Sequence, residues 1–209
     1  MQSAKDTFIL GLIKSKLLSF RNVISTSYGH TSPYYIDLRA IYSYPKLLRY
    51  AVDWLKQATR DADYDFVCGI ETASLPMVGA YGLATMEPTL YLRTKQKPYG
   101  NRKIVEGHFQ PHDRIILVDD LIVEPEITLE FIHLAESAGL TVVGLYVLYE
   151  KLAHDLSKDV FEQAGYPVKS LFTYEDVANL IRAHHESLGC EPGLADLICG
   201  FGNFAQSSS

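Results

Sequence analysis

Cysteine is scarce in this chain of 209 residues, and its three thiols follow no metal-ligand spacing. Cys68, Cys190 and Cys199 leave an odd count, so the sequence contains neither a disulfide framework nor a zinc motif. A reducing environment fits this cysteine usage best. We therefore expect a cytoplasmic protein.

Long apolar runs and an excess of basic residues are also missing. No stretch reaches the roughly 18 apolar residues of a membrane helix, and the N-terminus lacks the basic-then-apolar order of a signal peptide. The net charge is −6, from 25 acidic and 19 basic residues. Because a nucleic-acid binder neutralises phosphates with a basic face, this balance argues against one. We expect no membrane and no nucleic-acid partner.

Apolar residues make up 47% of the chain, which is enough for one substantial core in a single α/β domain. From about residue 62 onward, short apolar runs alternate with helix-like segments, as is typical of a parallel sheet covered by helices on both faces. The pattern predicts strands at residues 66–70, 89–92, 104–109, 115–118, 141–148 and 168–172. It predicts helices at residues 6–20, 45–61, 75–84, 126–138, 152–164 and 174–186.

Residues 114–128 combine an apolar strand, two adjacent carboxylates (Asp119 and Asp120) and a helix that begins near Pro125. In an open α/β sheet, ligands often bind where the carboxyl end of a strand faces a helix N-terminus. A polar turn with a capping aspartate explains the local pattern equally well. On this segment alone, both interpretations stay open.

Residues 93–103 interrupt the alternation of strands and helices with a group of cations beside a proline and a glycine. This composition predicts a mobile cationic loop on a hairpin, which either binds an anion or is a solvated hairpin without a function. The basic residues are Arg93, Lys95, Lys97, Arg102 and Lys103.

Three segments together resemble the type I phosphoribosyltransferases, and among them the orotate phosphoribosyltransferases. The similarity spans about residues 5–186. It implies a single-domain α/β fold with a central parallel sheet flanked by helices, a hood at about 1–45, a core at about 46–188, a flexible hairpin loop, and a weakly specified tail at 189–209. The segments are Gly29-x-x-Ser32-Pro33-Tyr34-Tyr35-Ile36-Asp37-Leu38-Arg39 with Ser43-x-Pro45; Arg93-x-x-x-Lys97-x-Tyr99-Gly100 with Val105-Glu106-Gly107; and Val118-Asp119-Asp120.

The resemblance implies a glycosyltransferase of nucleotide metabolism. Such an enzyme transfers a ribosyl group between phosphoribosyl pyrophosphate (PRPP), or a related ribosyl donor, and a nitrogenous base, with pyrophosphate as the leaving group and Mg²⁺ bound to the substrate. Cations and a closing loop suit this reaction because charge develops on the leaving group and water must be excluded. The implied catalytic residues are Arg93, Lys97, Asp119 and Asp120, and the two aspartates contact ribose hydroxyls or the water shell of the metal. In a homodimer, loop 93–103 is expected to reach the site of the partner.

The resemblance also implies roles for residues that bind pyrophosphate or the base. Two loop residues and a turn are expected to bind pyrophosphate, and residues of the hood and of the end of one strand are expected to bind the base. The hood residues Tyr34, Tyr35 and Asp37 also have a simpler interpretation as strand residues of the hood that covers the base. The pyrophosphate residues are Lys95, Tyr99, Glu71, Thr72, Ala73 and Ser74, and the base-binding residues are Tyr34, Tyr35, Asp37 and Glu150.

The chain departs most from the family in the loop that binds the 5′-phosphate. Where the family has hydroxyl residues and a glycine, proline removes an N–H donor and two carboxylates would repel a dianion. The same residues suit a helix N-terminus without any ligand. One hypothesis is that the protein's own carboxylate takes the role of the phosphate. The divergent residues are Val123, Glu124, Pro125, Glu126, Ile127 and Thr128.

Three other positions have lost a cation. Ser27 replaces a lysine that lies two residues before the Gly29 position in the family. Thr94 replaces a lysine that follows the loop arginine in the family, and Glu150 replaces an arginine that helps to bind the carboxylate of orotate. Orotate is therefore not expected to be the preferred base, and the sequence does not identify the base. The alternative function is a catalytically inactive homologue that acts as a ligand-binding regulator or a structural subunit.

Overall fold

A computed structural model describes residues 3–25, 31–94, 103–151, 154–191 and 193–203. Within these residues, the chain forms a six-stranded sheet and a separate two-stranded hairpin. The expected α/β class with a central, mostly parallel sheet flanked by helices is confirmed. None of the described helices is long and apolar enough to cross a membrane.

The N-terminal segment forms the hood elements before the sheet begins. Its first helix starts at a capping box, in which Ser3 Oγ accepts a hydrogen bond from Asp6 N and the Asp6 carboxylate accepts one from Ser3 N. A 3₁₀ helix then leads from the hairpin to the core. The elements are α1 (Ala4–Lys14), β1 (Leu18–Ser25), β2 (Thr31–Ile36) and the 3₁₀ helix Leu38–Ser43.

The predicted helix at residues 6–20 is wrong in its second half. The helix ends at Lys14, and Lys16 adopts a left-handed backbone conformation with φ of 58°. Leu18 then begins β1 and pairs with Ile36 of β2 in an antiparallel register. Burial of Leu18 in the hairpin outweighs its helical spacing, because tertiary packing overrides local propensity.

The large sheet has the strand order β5-β4-β3-β6-β7-β8. All neighbouring pairs are parallel except β4 and β5, which form the expected hairpin. Its strands are β3 (Phe66–Ile70), β4 (Thr89–Leu92), β5 (Val105–Glu106), β6 (Arg114–Ile122), β7 (Thr141–Glu150) and β8 (Val168–Thr173). All six predicted strands are present; β6 and β7 run beyond their predicted ends, and β5 is shorter than predicted.

Helices lie on both faces of this sheet. Pro45 and Pro125 each occupy the first turn of a helix, where the missing N–H costs no helical hydrogen bond. The predicted capping box at Thr173 is present, with Asp176 as its second member. The helices are α2 (Pro45–Ala58), α3 (Leu75–Thr85), α4 (Pro125–Ser137), α5 (His154–Gln163), α6 (Tyr174–Leu188) and α7 (Leu194–Asn203).

Helix α7 lies in the segment for which the sequence specified little. Its residues Ala195 and Ile198 are buried in the same hydrophobic cluster as Ile181 of α6. The part of the tail at residues 194–203 therefore forms a helix, although there was little indication of one in the sequence.

Two hydrophobic clusters cover the two faces of the sheet. Ile116 and Val118 of β6 belong to the cluster that also contains the hood, α2, α3, α6 and α7. Ile115 and Leu117 belong to the cluster on the face of α4 and α5. This alternation follows from the two-residue period of a strand. The hood thus shares its hydrophobic core with one face of the sheet.

Candidate active site

Three adjacent parallel strands deliver predicted site residues to one end of the sheet, where β3 and β4 end and β6 continues to Ile122. Ile70 of β3 lies opposite Leu92 of β4, and Gly69 lies opposite Val118 of β6. Arg93 follows β4, the turn Glu71–Ser74 follows β3, and Asp119–Asp120 follow Val118 within β6. Because neighbouring strands are about 4.8 Å apart, these residues form one row.

Asp119 and Asp120 are half-buried neighbours in the middle of this row. The Asp120 N–H donates a hydrogen bond of 2.8 Å to Asp119 Oδ1. Burial raises the pKa of Asp119 well above its ordinary value, and the like charge of Asp120 adds to the effect. Burial also raises the pKa of Asp120. The structure therefore brings the two predicted carboxylates together at a place where both ionise less readily than exposed carboxylates.

The hood contributes a cation opposite Asp120. The positive charge of Arg39 acts to lower the pKa of Asp120, and the negative charge of Asp37 acts to raise it. Arg39 Nε lies 3.2 Å from Asp37 Oδ1, and Arg39 Nη2 donates to Tyr35 Oη at 3.1 Å. Arg39 had no predicted role, although it ends the hood segment that carried the resemblance. Two predicted base-binding residues, Tyr35 and Asp37, are thus linked to the carboxylate pair.

The other two predicted base-binding residues, Tyr34 and Glu150, lie in the interior. Tyr34 Oη and Tyr149 Oη form a hydrogen bond of 2.5 Å, and burial raises the pKa of both phenols. Lys151 Nζ lies 5.2 Å from the centroid of the Tyr34 ring, and burial lowers the pKa of this lysine. Glu150, at the end of β7, has a relative exposure of 1%. These side chains join the hood to the end of β7.

The turn after β3 is closely packed. The buried Ser74 Oγ donates to Ile70 O at 2.6 Å, and a Cβ on Gly69 would lie 2.9 Å from Ser74 Oγ. Glycine at position 69 therefore allows the turn to fold back onto the strand. Thr72 is exposed and Ala73 is half-buried. The predicted pyrophosphate turn is thus formed next to the carboxylate pair.

Glu71 of this turn contacts the start of the cationic segment. Glu71 Oε1 accepts hydrogen bonds from Thr94 N at 2.8 Å and from Thr94 Oγ1 at 2.9 Å. Arg93 Nη1 lies 4.0 Å from Glu71 Oε2 and 3.9 Å from Glu106 Oε1. From the sequence, Thr94 was expected only as the site of a lost cation, and Glu106 had no predicted role. Lys95, Lys97 and Tyr99 lie outside the described residues, so their roles stay predictions.

The divergent phosphate loop forms the start of α4. Glu124 is the N-cap residue, and its side chain makes no capping hydrogen bond. Pro125 is buried at the first helical turn, Glu126 is exposed in that turn, and Thr128 is buried. Val123 and Ile127 are half-buried. The structure gives no capping contact by which the Glu124 carboxylate would take the role of a phosphate.

Asp119 and Asp120 are also the residues best suited to Mg²⁺. Among the described residues, no group of three or more His, Cys, Asp or Glu side chains could hold a metal ion. Mg²⁺ is commonly held by one or two carboxylates together with substrate phosphates and water. The pair therefore fits a metal that enters with a phosphorylated substrate.

The strand order and the hood define the architecture as a type I phosphoribosyltransferase fold. The structure of UMP synthase from Leishmania donovani matches 97% of this chain with a TM-score of 0.82 and 25% identity, while this chain covers 43% of that protein. The present chain thus spans less than half the length of that relative.

Sequence similarity to two relatives identifies the family within this fold. The orotate phosphoribosyltransferase of Sulfurisphaera tokodaii is 31% identical over 144 residues, which are 69% of this chain and 73% of the relative. That of Pyrococcus abyssi is 29% identical over 175 residues, which are 83% of this chain and 94% of the relative. No protein-family model matches the chain. From these similarities, the chain belongs to the orotate phosphoribosyltransferase family.

Proposed function

We propose that this protein is an enzyme that transfers the phosphoribosyl group of PRPP to a nitrogenous base and releases pyrophosphate. The row of strand ends carries the proposal. Arg93, the turn at Glu71–Ser74 and the carboxylates of Asp119 and Asp120 lie on three adjacent strands. A cation for the leaving group and carboxylates for sugar hydroxyls are the complement of a ribosyl pyrophosphate.

In the proposed reaction, the bond between C1 of the ribose and the pyrophosphate oxygen breaks, and its electron pair leaves with the pyrophosphate. A base nitrogen forms the new bond to C1 and gives its proton to solvent. Positive charge develops on the ribose, where the carboxylates of Asp119 and Asp120 stabilise it. Arg93, and Lys97 by prediction, stabilise the leaving group.

Mg²⁺ is the expected cofactor and, when bound, neutralises part of the pyrophosphate charge. The residues that would hold its water shell are Asp119 and Asp120. Their adjacency suits this role because two carboxylates can accept several hydrogen bonds from coordinated water. Arg39 of the hood offsets part of their negative charge.

We propose that orotate is not the preferred base. Glu150 stands where the resemblance leads to an arginine that binds the carboxylate of orotate, so this position offers no cation to an acidic base. Its burial at the end of β7, close to the hood, supports an effect on the base pocket. If the pocket is otherwise intact, Glu150→Arg should strengthen orotate binding.

A calorimetric titration with PRPP and Mg²⁺ tests the proposal, followed by pyrophosphate release in the presence of orotate and of bases without a carboxylate. We expect PRPP binding and base-dependent release of pyrophosphate, with a base lacking the carboxylate as the better substrate. The control is the Asp119→Asn/Asp120→Asn variant. If the wild-type protein does not bind PRPP at millimolar concentration, PRPP is excluded as a substrate.

The start of α4 favours a second candidate function, a catalytically inactive homologue that binds a ligand as a regulator or structural subunit. Glu124 and Glu126 flank Pro125 where the resemblance implies a phosphate site, and a carboxylate disfavours a dianion there. Binding of PRPP without pyrophosphate release, for every base tested, would support this second candidate over the enzyme.

The enzyme is further proposed to be a homodimer in which loop 93–103 reaches the site of the partner. Leu83 and Met86, at the end of α3, support an interface because their relative exposures are 80% and 85%. Exposed apolar side chains that lie close together are typical of surfaces that bind another protein.

A further inference from the structure

Glu71 links the two segments that would contact pyrophosphate. It belongs to the turn after β3, yet its carboxylate accepts two hydrogen bonds from Thr94, which follows β4. Its other oxygen, Oε2, lies 4.0 Å from Arg93 Nη1. The Glu71 side chain is only 19% exposed, so water screens this contact less than it would at the surface.

Arg93 lies between two carboxylates of the protein itself. Glu106, on β5, approaches the same nitrogen atom at 3.9 Å. The Arg93 side chain is 26% exposed, so its charge is partly withdrawn from solvent. An anionic ligand that binds Arg93 must therefore compete with groups that already complement its charge.

The strand order places this competition inside the candidate active site. β3 lies between β4 and β6, so Glu71 stands between Arg93 and the pair Asp119–Asp120. A pyrophosphate that extends from the sugar at the aspartates to Arg93 passes the Glu71 carboxylate. Like charges at such short range repel each other when they are partly desolvated.

Resting on the proposed function, we propose that Glu71 sets the affinity of the site for the pyrophosphate group by acting as an internal anion. In the ligand-free protein, its carboxylate contacts Arg93 and Thr94. Pyrophosphate displaces it from Arg93 when it binds, and Glu71 returns when pyrophosphate leaves. The residue thus weakens the binding of the leaving group and favours its release, which makes it a determinant of pyrophosphate affinity.

The variant Glu71→Gln separates charge from structure. Glutamine keeps an oxygen that can accept the hydrogen bonds from Thr94, but it removes the negative charge beside Arg93. If Glu71 only supported the turn, the variant would bind pyrophosphate with equal or lower affinity. If Glu71 competes with the ligand, the variant binds pyrophosphate more tightly. The direction of the change therefore decides between the two roles.

The experiment is a calorimetric titration of the full chain with inorganic pyrophosphate and Mg²⁺, without PRPP or a base. For Glu71→Gln we expect a dissociation constant about fivefold lower than that of the wild type, which corresponds to roughly 1 kcal/mol. Asp53→Asn is the matched control. It removes one negative charge from an exposed ion pair with Arg49 on α2 and should leave the dissociation constant unchanged.

Thr94→Val provides a second, independent variant in case Glu71→Gln does not fold. It removes the hydroxyl that donates to Glu71 Oε1 and leaves the charge of the site unchanged. Because Glu71 is then held less firmly, pyrophosphate should bind more tightly, by less than in Glu71→Gln. Folding of both variants is checked by circular dichroism and thermal unfolding.

An unchanged or weaker affinity for pyrophosphate in the folded variants overturns the proposal, and so does a lack of binding by all of the proteins. The last of these results overturns the proposed function as well, whereas a changed order of affinities concerns only Glu71. Tighter binding by Glu71→Gln stands even if no base supports turnover. Conversely, an active transferase with unchanged affinity in both variants refutes only the role of Glu71.

Discussion

Asp119 and Asp120 are neighbours in β6, and their carboxylates ionise less readily than isolated ones because they are withdrawn from water and close to each other. Arg39 offsets this effect from the hood side. The pair could be recognised from the sequence because it ends an apolar strand. The effect of the Arg39 charge on Asp120 could not be recognised, because it acts between the hood and β6 and no local pattern records it.

The raised pKa values predict how stability depends on pH. The folded protein holds these protons more strongly than the unfolded chain, so their stabilising contribution is complete below the ordinary value of 3.8 and is lost as pH rises through the raised values. Asp119→Asn should flatten this decline and raise the free energy of unfolding near neutral pH by about 0.5–2 kcal/mol. It should also lower turnover by roughly 100-fold or more, as expected when a group that stabilises the transition state is lost.

Urea unfolding of wild type and Asp119→Asn between about pH 4 and pH 8 measures the effect on stability. Asp61→Asn, at an exposed position after α2, is the control and should follow the wild type. Equal slopes of stability against pH in wild type and Asp119→Asn would contradict the prediction.

At the scale of an element, the start of α4 is well suited to a helix and poorly suited to an anion. Pro125 needs no N–H donor in the first turn, and Glu126 interacts favourably with the helix dipole. The same dipole would attract a phosphate if glycine and hydroxyl residues stood there. Helix stability and phosphate binding therefore place opposite demands on this segment.

The variant Glu124→Thr/Pro125→Gly should reverse this balance. It removes one carboxylate and restores an N–H donor, so PRPP should bind about tenfold more tightly, equivalent to roughly 1.4 kcal/mol. The helix start should become less stable by about 1 kcal/mol because glycine gives the unfolded chain more freedom. Calorimetry with PRPP and thermal unfolding measure the two effects.

Glu130→Thr is the control for this variant, since it removes an exposed carboxylate from the same helix away from the first turn. It should leave PRPP affinity unchanged. A double variant whose PRPP affinity equals that of the wild type would show that the start of α4 does not contact the 5′-phosphate.

For the whole molecule, the proposed homodimer predicts a specific disruption. Leu83→Glu places a charge on the exposed end of α3, where it would be desolvated in an interface, so the dimer should dissociate at micromolar concentration. Sedimentation velocity measures the mass of the particle. The control is Lys56→Glu, which also places a glutamate at an exposed position, on α2. Thr85 is not suitable for this purpose because its hydroxyl donates a hydrogen bond to Tyr81 O. A wild-type protein that sediments as a monomer contradicts the proposal.

The strands that could be predicted from the sequence are those whose residues are buried on both faces of the sheet. β3 and the stretch Ile115–Val118 of β6 are entirely apolar because helices cover both of their faces, and the prolines at 45 and 125 fixed two helix starts. β1 was missed because Leu17 and Leu18 also match helical spacing. Likewise, the contact between Glu71 and Thr94 joins residues 23 positions apart, and no periodicity reveals it.

The packing of α1 also has a consequence for the order in which the protein is completed during synthesis. Phe8 packs against Phe172, and Lys5 forms an ion pair with Asp176, 171 residues further along the chain. On the ribosome, α1 emerges long before β8 and α6, so this part of its packing must wait until those later elements have been made. The hood therefore closes late, and a nascent chain that stops before β8 would present the apolar side of α1 to chaperones.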